Sequence, residues 1–217
     1  MRAERGLVLA LDTTDLARTR FVAGAVRGEV DAIKVGWPLV LASGIDIVEE
    51  LARSSYVLCD FKVADIPNTN RLIVEQAVAR GASGVIAHGF PGEDSVRACV
   101  EAARTADVFV VAEMSHPGGE EFTSRHAEEI ARLAVRAGAA GIIAPATRPE
   151  RIAALRGILG SRLILSPGVG AQGGTATDAI HMGADAVIVG RSIYEAADPA
   201  KAAAALASEV ARARRGR

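Results

Sequence analysis

The 217-residue chain is half hydrophobic and carries a formal net charge of −1 at pH 7, enough for one sizeable core and a single domain over residues 1–217. The balanced charge offers no basic field for nucleic acid, and an aromatic content of 4% leaves no stacking surface for single strands. No apolar run approaches the roughly 20 residues of a membrane span. Cys59 and Cys99 form neither a CxxC spacing nor a disulfide framework, which suits reduced, buried thiols in a cytoplasmic protein.

Residues 1–6 run directly into an apolar segment, without the longer apolar stretch and cleavage site of a secretory leader. From there short β-rich runs alternate with longer helical patterns. The predicted strands are 7–12, 32–36, 56–62, 84–88, 108–114, 141–145, 163–166 and 186–190. Most are nearly continuous Val, Ile, Leu and Ala, as expected of parallel strands covered by helices. Ala-, Glu- and Arg-rich segments such as 120–137 and 199–214 have helical periodicity. Gly81, Gly138 and Gly183 each close a helix, where glycine suits the left-handed position past the last turn. Eight βα units in this length predict an α/β fold built as a single (β/α)8 TIM barrel. An open doubly wound sheet is second choice, because Asp12-Thr13-Thr14-Asp15 stands where the GxGxxG fingerprint would follow the first strand. Residues 212–217 read as basic charge at a helix C-terminus followed by a frayed end.

In a barrel, function sits at the C-terminal ends of the strands. The first strand ends in Asp12, the second carries Lys34, and the third delivers Asp60 and Lys62. Residues i and i+2 of a strand project together, so Asp60 and Lys62 share a direction. Charges at the end of an apolar strand are costly unless paired or used. Four of alternating sign on adjacent strands therefore form a candidate site. A magnesium ion on Asp12 or Asp60 would compete with Lys34 and Lys62, and no His or Cys pattern suggests a transition metal.

Further along, His88 ends the fourth strand and reads as a base, a ligand or a hydrogen-bonded polar residue. His126 and His181 lie in helical segments as surface or packing residues. Ser115 lacks a GxSxG elbow and has His116 as its immediate neighbour, so it suits hydrogen bonding to a ligand rather than nucleophilic attack. The seventh strand leads into Ser166-Pro167-Gly168-Val169-Gly170-Ala171-Gln172-Gly173-Gly174, and the eighth into Gly190-Arg191-Ser192-Ile193-Tyr194. Glycine-exposed N–H groups after these two strands, with an arginine, predict a phosphorylated ligand. Residues 170–174 are suited to act as a lid.

The block Asp60-Phe61-Lys62-Val63-Ala64-Asp65-Ile66-Pro67-Asn68-Thr69 resembles DxKxxDIxxT, the signature of orotidine 5′-monophosphate decarboxylases. The likeness extends to Leu9-Ala10-Leu11-Asp12, Ile33-Lys34-Val35-Gly36, Met114-Ser115-His116-Pro117-Gly118, Pro167 to Gly174 and Val189 to Tyr194, and the short length resembles the compact archaeal and related bacterial branch. The resemblance implies a carboxy-lyase converting orotidine 5′-monophosphate to UMP and CO₂, the last step of pyrimidine nucleotide synthesis, with no metal or organic cofactor. It implies catalytic roles for Lys62, Asp60, Lys34 and Asp65, with Lys62 protonating C6 and Asp60 against the substrate carboxylate. It further implies that Asp12 and Lys34 contact ribose and that Ser115 meets the pyrimidine amide. Gln172 would bridge base and phosphate beside Pro167, with Gly190 and Arg191 on the phosphate. Asp65 and Thr69 would reach into the partner's site of a homodimer. A magnesium-dependent keto-sugar-phosphate decarboxylase or epimerase is the nearest alternative, and Lys34 stands where such enzymes place an acidic ligand. A non-catalytic nucleotide-binding barrel is the other.

Overall fold

In the computed structural model, which describes residues 1–216, the apolar runs become β1 (Leu7–Ala10), β2 (Ala32–Gly36), β3 (Val57–Val63), β4 (Gly84–His88), β5 (Asp107–Val111), β6 (Gly141–Ile143), β7 (Leu163–Pro167) and β8 (Ala186–Val189). Arg217, the last residue of the predicted basic end, lies outside the described residues. All neighbours pair in parallel, and β8 returns to β1 through Leu7↔Val187, Val8↔Ile188 and Leu9↔Val189. That pairing closes the sheet, so the fold is the (β/α)8 barrel and not the open doubly wound sheet.

The helices are α1 (Leu16–Ala25), α2 (Trp37–Ser43), α3 (Asp46–Ala52), α4 (Pro67–Ala79), α5 (Glu93–Ala103), α6 (Thr123–Arg136), α7 (Pro149–Leu159), α8 (Ala176–His181), α9 (Arg191–Tyr194) and α10 (Pro199–Arg215). The segment predicted as one helix over 120–137 starts later, at Thr123. Pro117–Glu120 makes a separate 3₁₀ turn, and the Thr123 hydroxyl donates to the Gly119 carbonyl at 2.8 Å. Strand pairing also ends sooner than the apolar pattern on β1, β5, β6 and β8. Beyond those ends isolated bonds continue, such as Leu11 N–H to the Lys34 carbonyl at 2.9 Å.

Alternation of side chains sorts the strands into two cores. Val8 and Ala10 of β1, Ala32 of β2, Leu58 of β3, Ile86 of β4 and Phe109 of β5 fill the barrel interior. Leu7, Leu9, Ile33, Val35, Val57 and Cys59 face outward onto the helices. Continuing the inward parity toward the C-terminal ends reaches Asp12, Lys34 and Asp60. Register sets Lys34 level with Ala10 and Leu58 and Asp60 level with Gly36, so Lys34 rises from one inward layer below the two carboxylates. Small inward residues, Ala10 and Ala32, leave room for the lysine stem.

The three predicted glycine stops hold, and by one mechanism. Gly81, Gly138 and Gly183 have φ of +86°, +82° and +114°. In each case the glycine N–H and the next alanine N–H reach back into the last turn: Gly81 to Val78 and Ala82 to Ala77, Gly138 to Val135 and Ala139 to Ala134, Gly183 to Ile180 and Ala184 to Ala179. This is the Schellman pattern.

Candidate active site

Asp12, Lys34, Asp60 and Lys62 meet at the C-terminal mouth of the barrel. The Lys34 ammonium lies 2.9 Å from Asp60 Oδ2 and 3.4 Å from Asp12 Oδ1, and the Lys62 ammonium lies 2.9 Å from Asp60 Oδ1. Asp60 is therefore the hub, accepting from both lysines. The Lys34 and Asp60 side chains are each 9% exposed, whereas Lys62 is 40% and Asp12 34% exposed. The buried pair sets the field, and the outer pair is open to a ligand. Burial alone would raise the Asp60 carboxyl, but Lys34 and Lys62 outweigh it and hold the group below its ordinary value. Burial would likewise lower Lys34, and Asp60 and Asp12 reverse it and hold the ammonium above its ordinary value. Gly36 makes the packing possible: a Cβ there would stand 2.6 Å from Asp12 Oδ1.

Simple alternation does not by itself deliver Lys62. Pairing of β3 with β4 passes from Cys59↔Val85 to Val63↔Ala87, so four steps along β3 answer two along β4. Within this bulge Lys62 takes φ +46°, a left-handed conformation that costs a non-glycine residue about 1–3 kcal/mol. Bulges beside active sites commonly re-aim a side chain. Here the irregularity keeps Lys62 on Asp60 while Phe61 packs outward. Sequence reasoning placed the two side chains together correctly but missed the distortion, since Asp60-Phe61-Lys62-Val63 carries no glycine to mark the left-handed position.

A cavity of about 350 Å³ opens above the array, bordered by Asp12, Lys34, Asp60 and Lys62 on one side. Ser115, Pro167, Gln172, Gly190 and Arg191 border the same cavity, so the predicted site residues from separate strands and loops converge. The loop after β7 is tied to itself by Gly170 N–H to Gly174 O at 3.0 Å and Gly174 N–H to Gly168 O at 3.0 Å. It touches the loop after β8: a Cβ on Gly170 would lie 2.8 Å from Ser192 Oγ. Asp65 and Thr69 are not among the cavity residues. Asp65 is exposed, with its Oδ1 accepting from Ile66 N–H at 2.7 Å, and Thr69 is half-buried in the first turn of α4.

Glu113 escaped the sequence reading. It borders the cavity, is fully buried, and accepts from Arg148 Nε at 2.8 Å and Arg151 Nε at 2.9 Å. Arg148 also donates to the Met114 carbonyl, bracing the segment that presents Ser115. The signal was a lone carboxylate two residues past Val111 on the inward parity, without a nearby cation in sequence. His88 is half-buried and its Nδ1 has no hydrogen-bond partner among the described residues, so of its three readings the hydrogen-bonded one finds no partner at that nitrogen. Burial, then Lys62, hold its pKa below the ordinary histidine value. His126 is exposed and meets Glu129 at 3.1 Å, and His181 is exposed. Among the described residues no three His, Cys, Asp or Glu side chains are grouped to hold a metal ion.

A family model described as Orotidine 5′-phosphate decarboxylase / HUMPS family matches residues 5–206. The chain belongs to this family. An orotidine 5′-phosphate decarboxylase of Methanosarcina mazei is 58% identical over 214 residues, covering 97% of each chain. That of Thermococcus kodakarensis is 48% identical over 210 residues, 95% of this chain and 97% of the relative. Among solved structures, orotidine 5′-monophosphate decarboxylase of Methanocaldococcus jannaschii complexed with inhibitor BMP superposes with a TM-score of 0.90 at 40% identity, over 94% of this chain and 98% of the other. The Pyrococcus horikoshii enzyme gives 0.87 at 45% identity, over 94% and 99%. Membership of the orotidine 5′-phosphate decarboxylase family agrees with the DxKxxDIxxT resemblance.

Proposed function

We propose that the protein decarboxylates orotidine 5′-monophosphate to UMP and CO₂, with residues 1–217 acting as one catalytic domain. The observation that carries this reading is the Lys62 ammonium, held 2.9 Å from Asp60 inside a cavity whose opposite wall is two glycine loops and Arg191. The phosphate lies on Gly190 and Arg191, which places the nucleobase between Ser115 and Lys62, with Gln172 spanning base and phosphate next to Pro167. Asp12 and Lys34 take the ribose hydroxyls. The C6–carboxylate bond breaks, CO₂ departs, and the electron pair left on C6 receives a proton from Lys62. An ammonium aimed where that charge develops stabilises it in a water-poor cavity.

Asp60 beside the departing carboxylate contributes repulsion of about 4 kcal/mol at 4 Å and an effective dielectric of 20. Enzymes lower barriers by roughly 8–23 kcal/mol, so repulsion is a minor share. Phosphate binding drives closure of the loop after β7 and so turns remote binding energy into a dry, preorganised site. The chemistry draws on side chains alone, without metal or organic cofactor. Two free, buried thiols, Cys59 and Cys99, suit a reducing cytoplasm. Asp65 and Thr69 lie outside the lining of their own cavity, and the proposal has them complete the partner's site in a homodimer.

The magnesium-dependent keto-sugar-phosphate alternative is not favoured. Lys34 already places a cation 2.9 Å from Asp60 and 3.4 Å from Asp12, where a divalent ion would need both carboxylates. Turnover of orotidine 5′-monophosphate by the purified protein, followed by ultraviolet absorbance with EDTA present, tests the proposal. Loss of substrate absorbance at an undiminished rate in EDTA is expected. Activity that appears only when magnesium is restored would overturn the metal-free chemistry.

A further inference from the structure

Trp37 opens α2 immediately after β2 ends, and it is 45% exposed at the barrel rim. Its ring stacks on Phe61 with centroids 4.7 Å apart and planes 27° apart. Its indole N–H donates to the Phe61 carbonyl at 3.1 Å. That carbonyl belongs to the peptide joining Phe61 to Lys62, and Lys62 is the residue in the left-handed conformation. The β3–β4 register jumps across this peptide, from Cys59↔Val85 to Val63↔Ala87. A carbonyl turned out of regular pairing needs a donor from elsewhere, and the indole supplies it. Trp37 thus holds both the ring and the peptide oxygen of the residue before Lys62.

We infer that Trp37 is a positioning residue for Lys62, an inference that rests on the decarboxylase reading. The peptide plane between Phe61 and Lys62 fixes the direction in which the Lys62 side chain leaves the backbone. A strained φ persists only where the surroundings over-determine it. The Lys62 side chain is itself 40% exposed, so packing around its stem is incomplete and the backbone shares the aim with the Asp60 contact at its tip. Trp37 does this from outside the cavity, touching no reacting atom. Phe61 is the intermediary: it is buried among the outward-facing residues with the indole stacked on its ring.

The test compares Trp37→Phe, which keeps a stacking ring but removes the donor, with Trp37→Ala, which removes both. Crystal structures of both variants are solved, and kcat, KM and UMP affinity are measured beside the unaltered enzyme. Expected is a fall in kcat of about 10²-fold for Trp37→Ala, the cost of misplacing a catalytic group by about 1 Å. For Trp37→Phe a fall of roughly fivefold is expected, in line with one lost hydrogen bond. UMP affinity stays within about twofold in both, because Trp37 holds the proton donor and not the ligand. In the Trp37→Ala structure Lys62 leaves its left-handed φ or its ammonium withdraws from Asp60. The inference is overturned if Lys62 keeps φ near +46° and its contacts to Asp60 in that structure, if kcat is unchanged, or if UMP affinity falls in step with kcat. Should the unaltered enzyme fail to turn over orotidine 5′-monophosphate, the decarboxylase reading fails separately, and the two structures still decide whether Trp37 sets the Lys62 backbone.

Discussion

Asp60 accepts hydrogen bonds from two ammonium groups while almost wholly buried, so its removal leaves Lys34 with a weaker counter-charge in a low-dielectric place. Breaking a buried pair from one side costs about 3 kcal/mol, and Asp60→Asn is expected to lose that much stability at neutral pH. The pH dependence follows from the two shifts. Asp60 is held below its ordinary 3.8, so its contribution is complete above about pH 4 and is lost as pH falls through the depressed folded value. Lys34 is held above its ordinary 10.5, so its contribution is complete below pH 10.5 and is lost as pH rises through the higher folded value. Denaturant unfolding of wild type and Asp60→Asn from about pH 2 to 11 should show a constant gap between about pH 4 and 10 that narrows at both ends. A gap that is the same at about pH 2 as at about pH 7 contradicts the array as a coupled unit. The four charges were legible in sequence because apolar strands seldom end in them. Glu113 was not, because its partners Arg148 and Arg151 come from another loop and helix 35 and 38 residues away.

At the scale of elements, the glycines divide into those that end helices and those that admit a neighbour. Gly138 has φ +82°, and a methyl added there would have its nearest neighbour 3.8 Å away, so an alanine meets open space and only backbone strain. Gly138→Ala should cost about 1 kcal/mol of unfolding free energy and leave turnover unchanged. Gly36→Ala should do the reverse, because its methyl would fall 2.6 Å from Asp12 Oδ1 and displace that carboxylate from Lys34. A drop in kcat/KM of about tenfold, with stability changed less than in Gly138→Ala, is expected from moving one charged contact. Equal activities in the two variants would detach Gly36 from the site. The helix stops were readable from single glycines because the left-handed cap has a residue signature. The bulge in β3 was not, because Asp60-Phe61-Lys62-Val63 carries no glycine at the left-handed position, and Lys62 adopts it under tertiary constraint.

At the scale of the molecule, the repeat of eight βα units made the barrel legible, since parallel strands buried on both faces read as continuous apolar runs. Which residues cross between copies is not written in such runs, because periodicity reports burial within one chain. Asp65 and Thr69, set outside their own cavity, carry the dimer proposal, and mixing makes it measurable. Equal amounts of Lys62→Ala and Asp65→Asn chains, each inactive alone, should recover about a quarter of wild-type activity if subunits exchange and each heterodimer has one intact site. Recovery of none under conditions that exchange subunits contradicts a site shared across a two-fold interface.

The central claim is that Lys62 delivers the proton to C6 in a decarboxylase site built from the barrel mouth. Its most direct test is Lys62→Ala, assayed for turnover of orotidine 5′-monophosphate and, by calorimetry, for UMP binding. The account predicts turnover reduced below detection with UMP binding still measurable, since Arg191, Gly190, Ser115 and Gln172 remain in place. Turnover retained by Lys62→Ala would contradict it.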